Sequence, residues 1–201
     1  MKKTRIAVLV SGGGTNLQAL IDAERARKIP HGEIVLVLSS KEGVYALERA
    51  RLAGIKTAVV PKKGMAQEDF EAALLAALSE AEVELCVLAG FLSILGPRVI
   101  DAYRDRIINV HPSLIPSFCG AGFYGLRVHE AALSYGVRVT GATVHLVNEI
   151  PDGGRILLQR AVDIKDGDTA EILQRRVMEK AEWKLLPRAT EMMAKAIAKQ
   201  K

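Results

Sequence analysis

The sequence predicts an α/β fold: an open sheet, mostly parallel with a mixed C-terminal part, and helices on both faces. Three observations carry this reading. Short apolar runs alternate with stretches of helical period along the chain. The early runs are largely continuous in apolar residues, which marks strands buried on both faces and joined through helices. The last two runs are longer and alternate in polarity, which marks strands that pair differently from the rest.

Strands are predicted at 5–10, 34–39, 56–60, 84–89, 106–110, 138–148 and 155–162. Helices are predicted at 16–28, 43–53, 66–81, 97–104, 127–135 and 169–198. The first strand reads Arg-Ile-Ala-Val-Leu-Val and ends at Ser11-Gly-Gly-Gly, and Asn16 is the expected N-cap of the following helix. In 66–81, Phe70, Ala73, Leu74, Ala77 and Leu78 recur at helical spacing. The fifth strand stops at Pro112, which cannot donate to a ladder and biases His111 to an extended conformation. Asp166 and Asp168 are read as the loop and cap before the last helix, which Pro187 is expected to break. No repeat or low-complexity stretch interrupts the pattern, so one domain is expected over residues 1–201. The order of elements is Rossmann-like.

The chain carries 28 basic and 23 acidic residues. Six of the basic ones, Lys2, Lys3, Arg5, Lys195, Lys199 and Lys201, lie in the two acid-free ends, 1–5 and 192–201. Without those six the balance is nearly neutral, and no basic stripe interleaved with aromatics supports nucleic-acid binding. No apolar run approaches a membrane span. Met1-Lys-Lys-Thr-Arg leads straight into a strand without a signal-peptide pattern. Cys86 and Cys119 lack metal-type spacing, and Cys86 lies in an apolar run as a core filler. A cytoplasmic protein in a reducing compartment is the expectation, acting on small molecules as a monomer or homodimer.

The chemistry gathers where strands end, as ligand sites do in open α/β sheets. Alternation along 107–111 puts Ile107, Asn109 and His111 on one face. Thr140-Gly-Ala-Thr-Val-His145 and then Asp152-Gly-Gly follow. Together these offer an amide, two imidazoles and a carboxylate. That set suits acyl transfer, which needs a donor for an oxyanion, a second donor able to carry charge, and a carboxylate to manage a proton. Each residue has a plainer reading: Asn109 as a turn residue, His111 as a structural hydrogen-bonder, Asp152 as part of a Pro-Asp-Gly-Gly turn. His129 has no partner signal and is expected to face solvent or the neighbouring loop.

Ser11-Gly-Gly-Gly-Thr15-Asn16 joins the first strand to the first helix. Glycines let backbone approach a ligand, and amides at a helix start attract phosphate. Leu17 stands where a dinucleotide fingerprint needs its third glycine, and no Gly-Lys-Ser/Thr follows. A phosphomonoester site is the reading, with a ligand-free turn or a degenerate nicotinamide site as alternatives.

Several segments, in order and over nearly the whole chain, resemble the phosphoribosylglycinamide formyltransferases of the folate-dependent formyltransferase superfamily. They are Val10-Ser-Gly-Gly-Gly-Thr-Asn-Leu-Gln18, Val87-Leu-Ala-Gly-Phe-Leu-Ser-Ile-Leu95, Ile108-Asn-Val-His-Pro-Ser-Leu-Ile-Pro116, Thr140-Gly-Ala-Thr-Val-His145, and Asp152-Gly-Gly with Gln159. The resemblance implies transfer of a formyl group from 10-formyltetrahydrofolate to the amine of 5′-phosphoribosylglycinamide, a step of purine synthesis, with no metal. It implies that Asn109, His111 and Asp152 are the catalytic set and that Gly14, Thr15 and Asn16 hold the substrate's phosphate. Leu92, Ser93, Ile94 and Leu95, with Asn109 and Gln67, would bind the folate. Glu182 would lie near the glycinamide, and His145 and Thr143 would brace the site.

This chain departs from the family's pattern at four places. Ser93 stands where the family usually has a basic residue, and Gln67 stands for a folate-contacting Arg, which leaves Lys62 or Lys63 to hold the glutamate tail. Trp183 replaces a frequent His. The segment 119–127 is longer than the family's usual form, and its glycines with Phe123 and Tyr124 suggest a lid, or else aromatics packed permanently on the domain or on a second subunit. Rival functions are a formyltetrahydrofolate hydrolase and a formyltransferase acting on another amine. A metal hydrolase is disfavoured, because His111 and His145 lack the i, i+4 spacing of helical ligands.

Overall fold

The structure, a computed structural model, describes residues 2–200. Among the described residues, seven strands form one sheet in the order β3-β2-β1-β4-β5-β6-β7. They are β1 (Thr4–Val10), β2 (Gly32–Ser39), β3 (Lys56–Val59), β4 (Leu85–Leu88), β5 (Ile107–His111), β6 (Val139–Leu146) and β7 (Ile156–Asp163). The first five pair in parallel, while β5 with β6 and β6 with β7 are antiparallel. The predicted mixed C-terminal part is therefore present.

Alternation divides the strand residues between two cores. Ile6, Val8, Val10, Val87, Ile108 and Val144 face the helices α1 (Thr15–Arg25), α2 (Tyr45–Leu52), α5 (Leu126–Tyr135), α6 (Ala170–Val177) and α7 (Trp183–Ala198). Ala7, Leu9, Cys86, Leu88 and Ile107 face α3 (Gln67–Glu80) and α4 (Pro97–Ala102). Phe70, Leu74 and Leu78 of α3 are fully buried there, at the spacing read from the sequence. Burial raises the Cys86 thiol above its ordinary range, so it is a core filler with no free thiolate.

Three local expectations are corrected. The cap of α1 is Gly14, in the left-handed region at φ 75°, and not Asn16. The glycines let the chain enter the helix early, which turns Asn16 inward. The last helical run is not broken at Pro187, which lies buried within α7. The irregularity is a π-helical turn, Met178–Glu182, just upstream. Proline's ring conflicts with the carbonyl four residues back, here Trp183, so the strain falls where α7 begins. The cap before α6 is Thr169, whose Oγ1 accepts from the Ile172 N–H. Asp168 instead pairs with Arg176 and accepts from the Lys165 N–H, and Asp166 pairs with Arg138.

Chain order reverses about β1: β2 and β3 lie on one side, and β4 onward on the other. The crevice between the carboxyl ends of β1 and β4 is the switch point at which such sheets bind ligands.

Candidate active site

A cleft of about 940 Å³ opens at that switch point. Its walls are the glycine loop after β1, residues 88–95 after β4, Asn109 to Pro112 at the end of β5, and residues 147–152 after β6. Ser11 ties two of these walls together. Its Oγ accepts from the Leu92 N–H (3.0 Å) and meets the Ser40 hydroxyl (2.8 Å).

The polar centre is built by the antiparallel pairing of β5 with β6. Asn109 lies opposite His145, and His111 opposite Thr143. Directly opposed residues share a face of the sheet, so the register alone brings the amide and both imidazoles together. Asp152 completes the group from a turn after β6. It sits at φ 56°, a strained setting for a non-glycine residue. Gly154 permits the turn, because a Cβ there would lie 1.8 Å from the Leu146 carbonyl oxygen.

Asp152 is held from three sides. Its Oδ2 accepts from the Gly120 N–H (2.9 Å) and lies 3.4 Å from His111 Nδ1. Its Oδ1 lies 3.4 Å from His145 Nε2. Burial by itself would raise this carboxyl. The His145 hydrogen bond, the Gly120 N–H and the imidazoles outweigh it and hold the group below the usual range, so it is ionised at neutral pH.

The two histidines are wired alike. A carbonyl oxygen only accepts, so His111 Nε2–H donates to Phe118 O (2.9 Å) and His145 Nδ1–H donates to Leu146 O (2.8 Å). The remaining nitrogen of each ring faces Asp152. Asn109 Nδ2 lies 3.2 Å from His145 Nε2; a ring nitrogen that donates to Asp152 cannot also accept from the amide, so the Asn109 amide hydrogens stay available to a ligand. His145, expected to brace the site, thus reaches Asp152 as directly as His111 does. Thr143 lies one layer away: its hydroxyl donates to Ser113 O and accepts from Gln159 and the Ile115 N–H, fixing the turn after β5.

Burial pushes the His111 imidazolium down, against the Phe118 carbonyl and Asp152, which both favour the charged ring. Desolvation outweighs both, and negative charge developing nearby would favour a proton on Nδ1.

Gly14, Thr15 and Asn16 line the opposite end of the cleft. Buried Glu182 lies there too, accepting from Asn16 Nδ2 at 2.6 Å, which ties it to the glycine-loop end. Burial raises its carboxyl to about 7, against the Asn16 hydrogen bond. Leu92 and Ile94 are 56% and 75% exposed on the cleft wall, with Leu95 buried behind them and Ser93 on the same loop. Gln67 does not line the cleft. Its Nε2 donates to Glu71 (2.8 Å) and to Ile94 O (3.3 Å), so it supports that loop from below. Lys62, offered as a substitute cation, donates to Met65 O and stands over the Phe70 ring. In the long loop, Phe123 packs edge-on against Phe118, which packs on Tyr135, whereas Tyr124 is half exposed beneath Arg127.

His129, expected in solvent or against the loop, is 1% exposed and lines the cleft, and neither ring nitrogen has a partner among the described residues. Val128, His129 and Ala132 form the buried face of α5, which turns the ring inward. Its environment was not visible in the sequence because it depends on where α5 begins. Burial, with His111 nearby, lowers its pKa to about 4. The unfolded chain takes up that proton near pH 6.5, so this group's contribution to stability is lost as pH falls from about 6.5 to about 4. Glu182 is shifted the other way and contributes in the opposite sense in any variant that keeps it. Thermal unfolding at several pH values is therefore expected to show that His129→Leu loses less stability than the wild type on acidification from about pH 6.5 to about 4, by an amount on the order of 3 kcal/mol. Equal losses in the two proteins would refute this account of His129.

A second groove, about 850 Å³ between α1 and α7, contains none of Asn109, His111 or Asp152. Among the described residues, no three His, Cys, Asp or Glu side chains are grouped to hold a metal ion, and no helix is long and apolar enough to cross a membrane.

The family profile described as "Formyl transferase" matches residues 4–190. The chain belongs to the formyl transferase family. Within that family it is 39% identical to glycinamide ribonucleotide transformylase 1 from Symbiobacterium toebii, with a TM-score of 0.90 over 96% of this chain and 89% of that one. It is 43% identical to the phosphoribosylglycinamide formyltransferase of Brucella melitensis, with a TM-score of 0.87 over 96% of both chains. It is also 45% identical over 96% of its length to the trifunctional purine biosynthetic protein adenosine-3 of Gallus gallus. The chain spans 18% of that relative's length.

Proposed function

We propose that this protein transfers the formyl group of 10-formyltetrahydrofolate to the amine of 5′-phosphoribosylglycinamide. The observation that carries the reading is Asp152, ionised and clamped between two imidazoles, beside the free amide hydrogen of Asn109 and in one cleft with a glycine loop that opens a helix. The relatives named for this reaction support it, as does their agreement with this chain over nearly its full length. Exposed Leu92 and Ile94 give an apolar wall suited to a flat heterocycle between the two polar ends.

In this reading the amine attacks the formyl carbon as the neutral base. Asn109 donates to the oxygen that becomes negative, and one such donor is worth about 3 kcal/mol in acyl transfer. His111 gains a proton on Nδ1 as that charge grows and adds a charged donor. Asp152 accepts the proton the amine must lose, directly or through water, and His145 keeps the carboxylate oriented. The tetrahedral intermediate then collapses by breaking the bond between the formyl carbon and N10, and N10 takes up the proton so that tetrahydrofolate leaves. Glu182 and Asn16 hold the substrate beside the glycine loop, where backbone amides meet its phosphate.

The test is a spectroscopic assay of tetrahydrofolate release. Turnover is expected to require 5′-phosphoribosylglycinamide and to survive exhaustive chelation. Formate release at a similar rate without the amine would replace this reading with a hydrolase. Activity restored only by added zinc or magnesium would overturn the proposed proton chemistry.

A further inference from the structure

The glycine loop does not hold its shape alone. Helix α2 lies against it and engages its carbonyl oxygens. The Ala46 N–H donates to Gly12 O (3.2 Å), and Arg49 Nε donates to Gly13 O (2.8 Å). Arg49 Nη1 also donates to Gln18 Oε1 (3.0 Å), one turn into α1, and its guanidinium lies 4.9 Å from the centre of the Tyr45 ring. The fit is close, since a Cβ on Gly14 would lie 2.7 Å from the Ala46 Cβ. Among the described residues, the N–H groups of residues 12–16 donate to no protein acceptor.

This division of groups matters for an anion. Carbonyl oxygens repel phosphate and amide hydrogens attract it, so a loop binds phosphate only if its carbonyls turn away. A tri-glycine segment has little preference of its own, because glycine populates both signs of φ. Something outside the loop must choose the orientation. We infer that α2 makes this choice, and that Arg49, through its fork to Gly13 O and Gln18, is a positioning residue for the phosphate end of the substrate. This rests on the reading of the loop as a phosphate site. The arginine's geometry matters more here than its charge, because a planar fork can hold both acceptors at once and a lysine ammonium cannot do so in the same way.

Steady-state kinetics of Arg49→Leu, Arg49→Lys and Gln18→Leu, with 5′-phosphoribosylglycinamide and with its dephosphorylated riboside, test the inference. Arg49→Leu is expected to raise KM for the phosphorylated substrate by about 10- to 100-fold, the range for losing hydrogen bonds to a charged group. KM for 10-formyltetrahydrofolate and for the riboside should move little, and kcat should fall by less than about threefold, as expected when uniform binding is lost. Arg49→Lys should recover only part of the loss. Gln18→Leu removes one leg of the fork alone and should raise the same KM by about three- to tenfold; it decides the matter if Arg49→Leu does not fold. Unchanged KM in the folded variants, an equal rise for the riboside, or full recovery with lysine would each overturn the role of Arg49. Wild-type protein that uses riboside and ribotide equally well would instead remove the phosphate reading itself, whatever the variants do.

Discussion

Asp152→Asn is expected to lower kcat by about two to four orders of magnitude, the span for losing a positioned acid–base group, with substrate affinities changed much less. The substitution isolates charge unusually well. Asp152 sits at φ 56°, and Asn is the residue besides Gly that tolerates this region best, so the backbone is not strained further. The amide oxygen of Asn can still accept from the Gly120 N–H that now meets Oδ2. What disappears is the acceptor for the amine's proton and the negative charge facing His111 and His145. Single-turnover rates on folded protein, with each substrate's affinity measured separately, provide the check. A variant that turned over at near wild-type rate would remove Asp152 from the chemistry.

The sequence made the frame of this site legible and left its wiring hidden. Continuous apolar runs followed by helical periods required a parallel sheet, and the longer alternating runs marked β6 and β7, because burial on both faces and burial on one leave different patterns. The halt at Pro112 and the alternation along β5 placed Asn109 and His111 together correctly. What the sequence could not express was antiparallel register. His145 reads in the sequence as a bracing group, and only the register of β6, which sets it opposite Asn109, gives it a direct contact with Asp152. His129 was similarly opaque, because its burial follows from the start and tilt of α5 and from no local pattern. Asn16 was misread as a cap because Asn is a good one; its actual partner, Glu182, lies 166 residues away. The π-helical turn that delivers Glu182 has no propensity signature, and Pro187 drew attention one turn too late.

Gly14→Val is expected to weaken the phosphorylated substrate by two orders of magnitude or more, roughly the effect of removing several charge-assisted hydrogen bonds, and to spare 10-formyltetrahydrofolate. Two features single out this glycine from its neighbours. Its φ of 75° belongs to the left-handed region, where a β-branched side chain is strongly disfavoured. Its added Cβ would also lie 2.7 Å from the Ala46 Cβ and 2.9 Å from the Ala46 Cα, so α2 or the loop must move. The strain alone costs about 1–3 kcal/mol, and a displaced loop no longer points its amides together. Gly13 has neither constraint, since its φ is ordinary and a Cβ there meets nothing within 4 Å. Gly13→Ala should therefore keep the native unfolding temperature, which Gly14→Val should lower. The Leu92–Leu95 wall is tied to the loop by the Ser11 hydroxyl, which accepts from the Leu92 N–H. Ser11 lies three residues before Gly14 in the chain, so this tie stands outside the displaced turn. Calorimetry with each ligand in turn decides the point. Loss of phosphorylated substrate alone fits a loop that faces phosphate, whereas equal loss of both ligands would mean that the substitution disturbs the whole cleft and that Gly14 has no selective part in it.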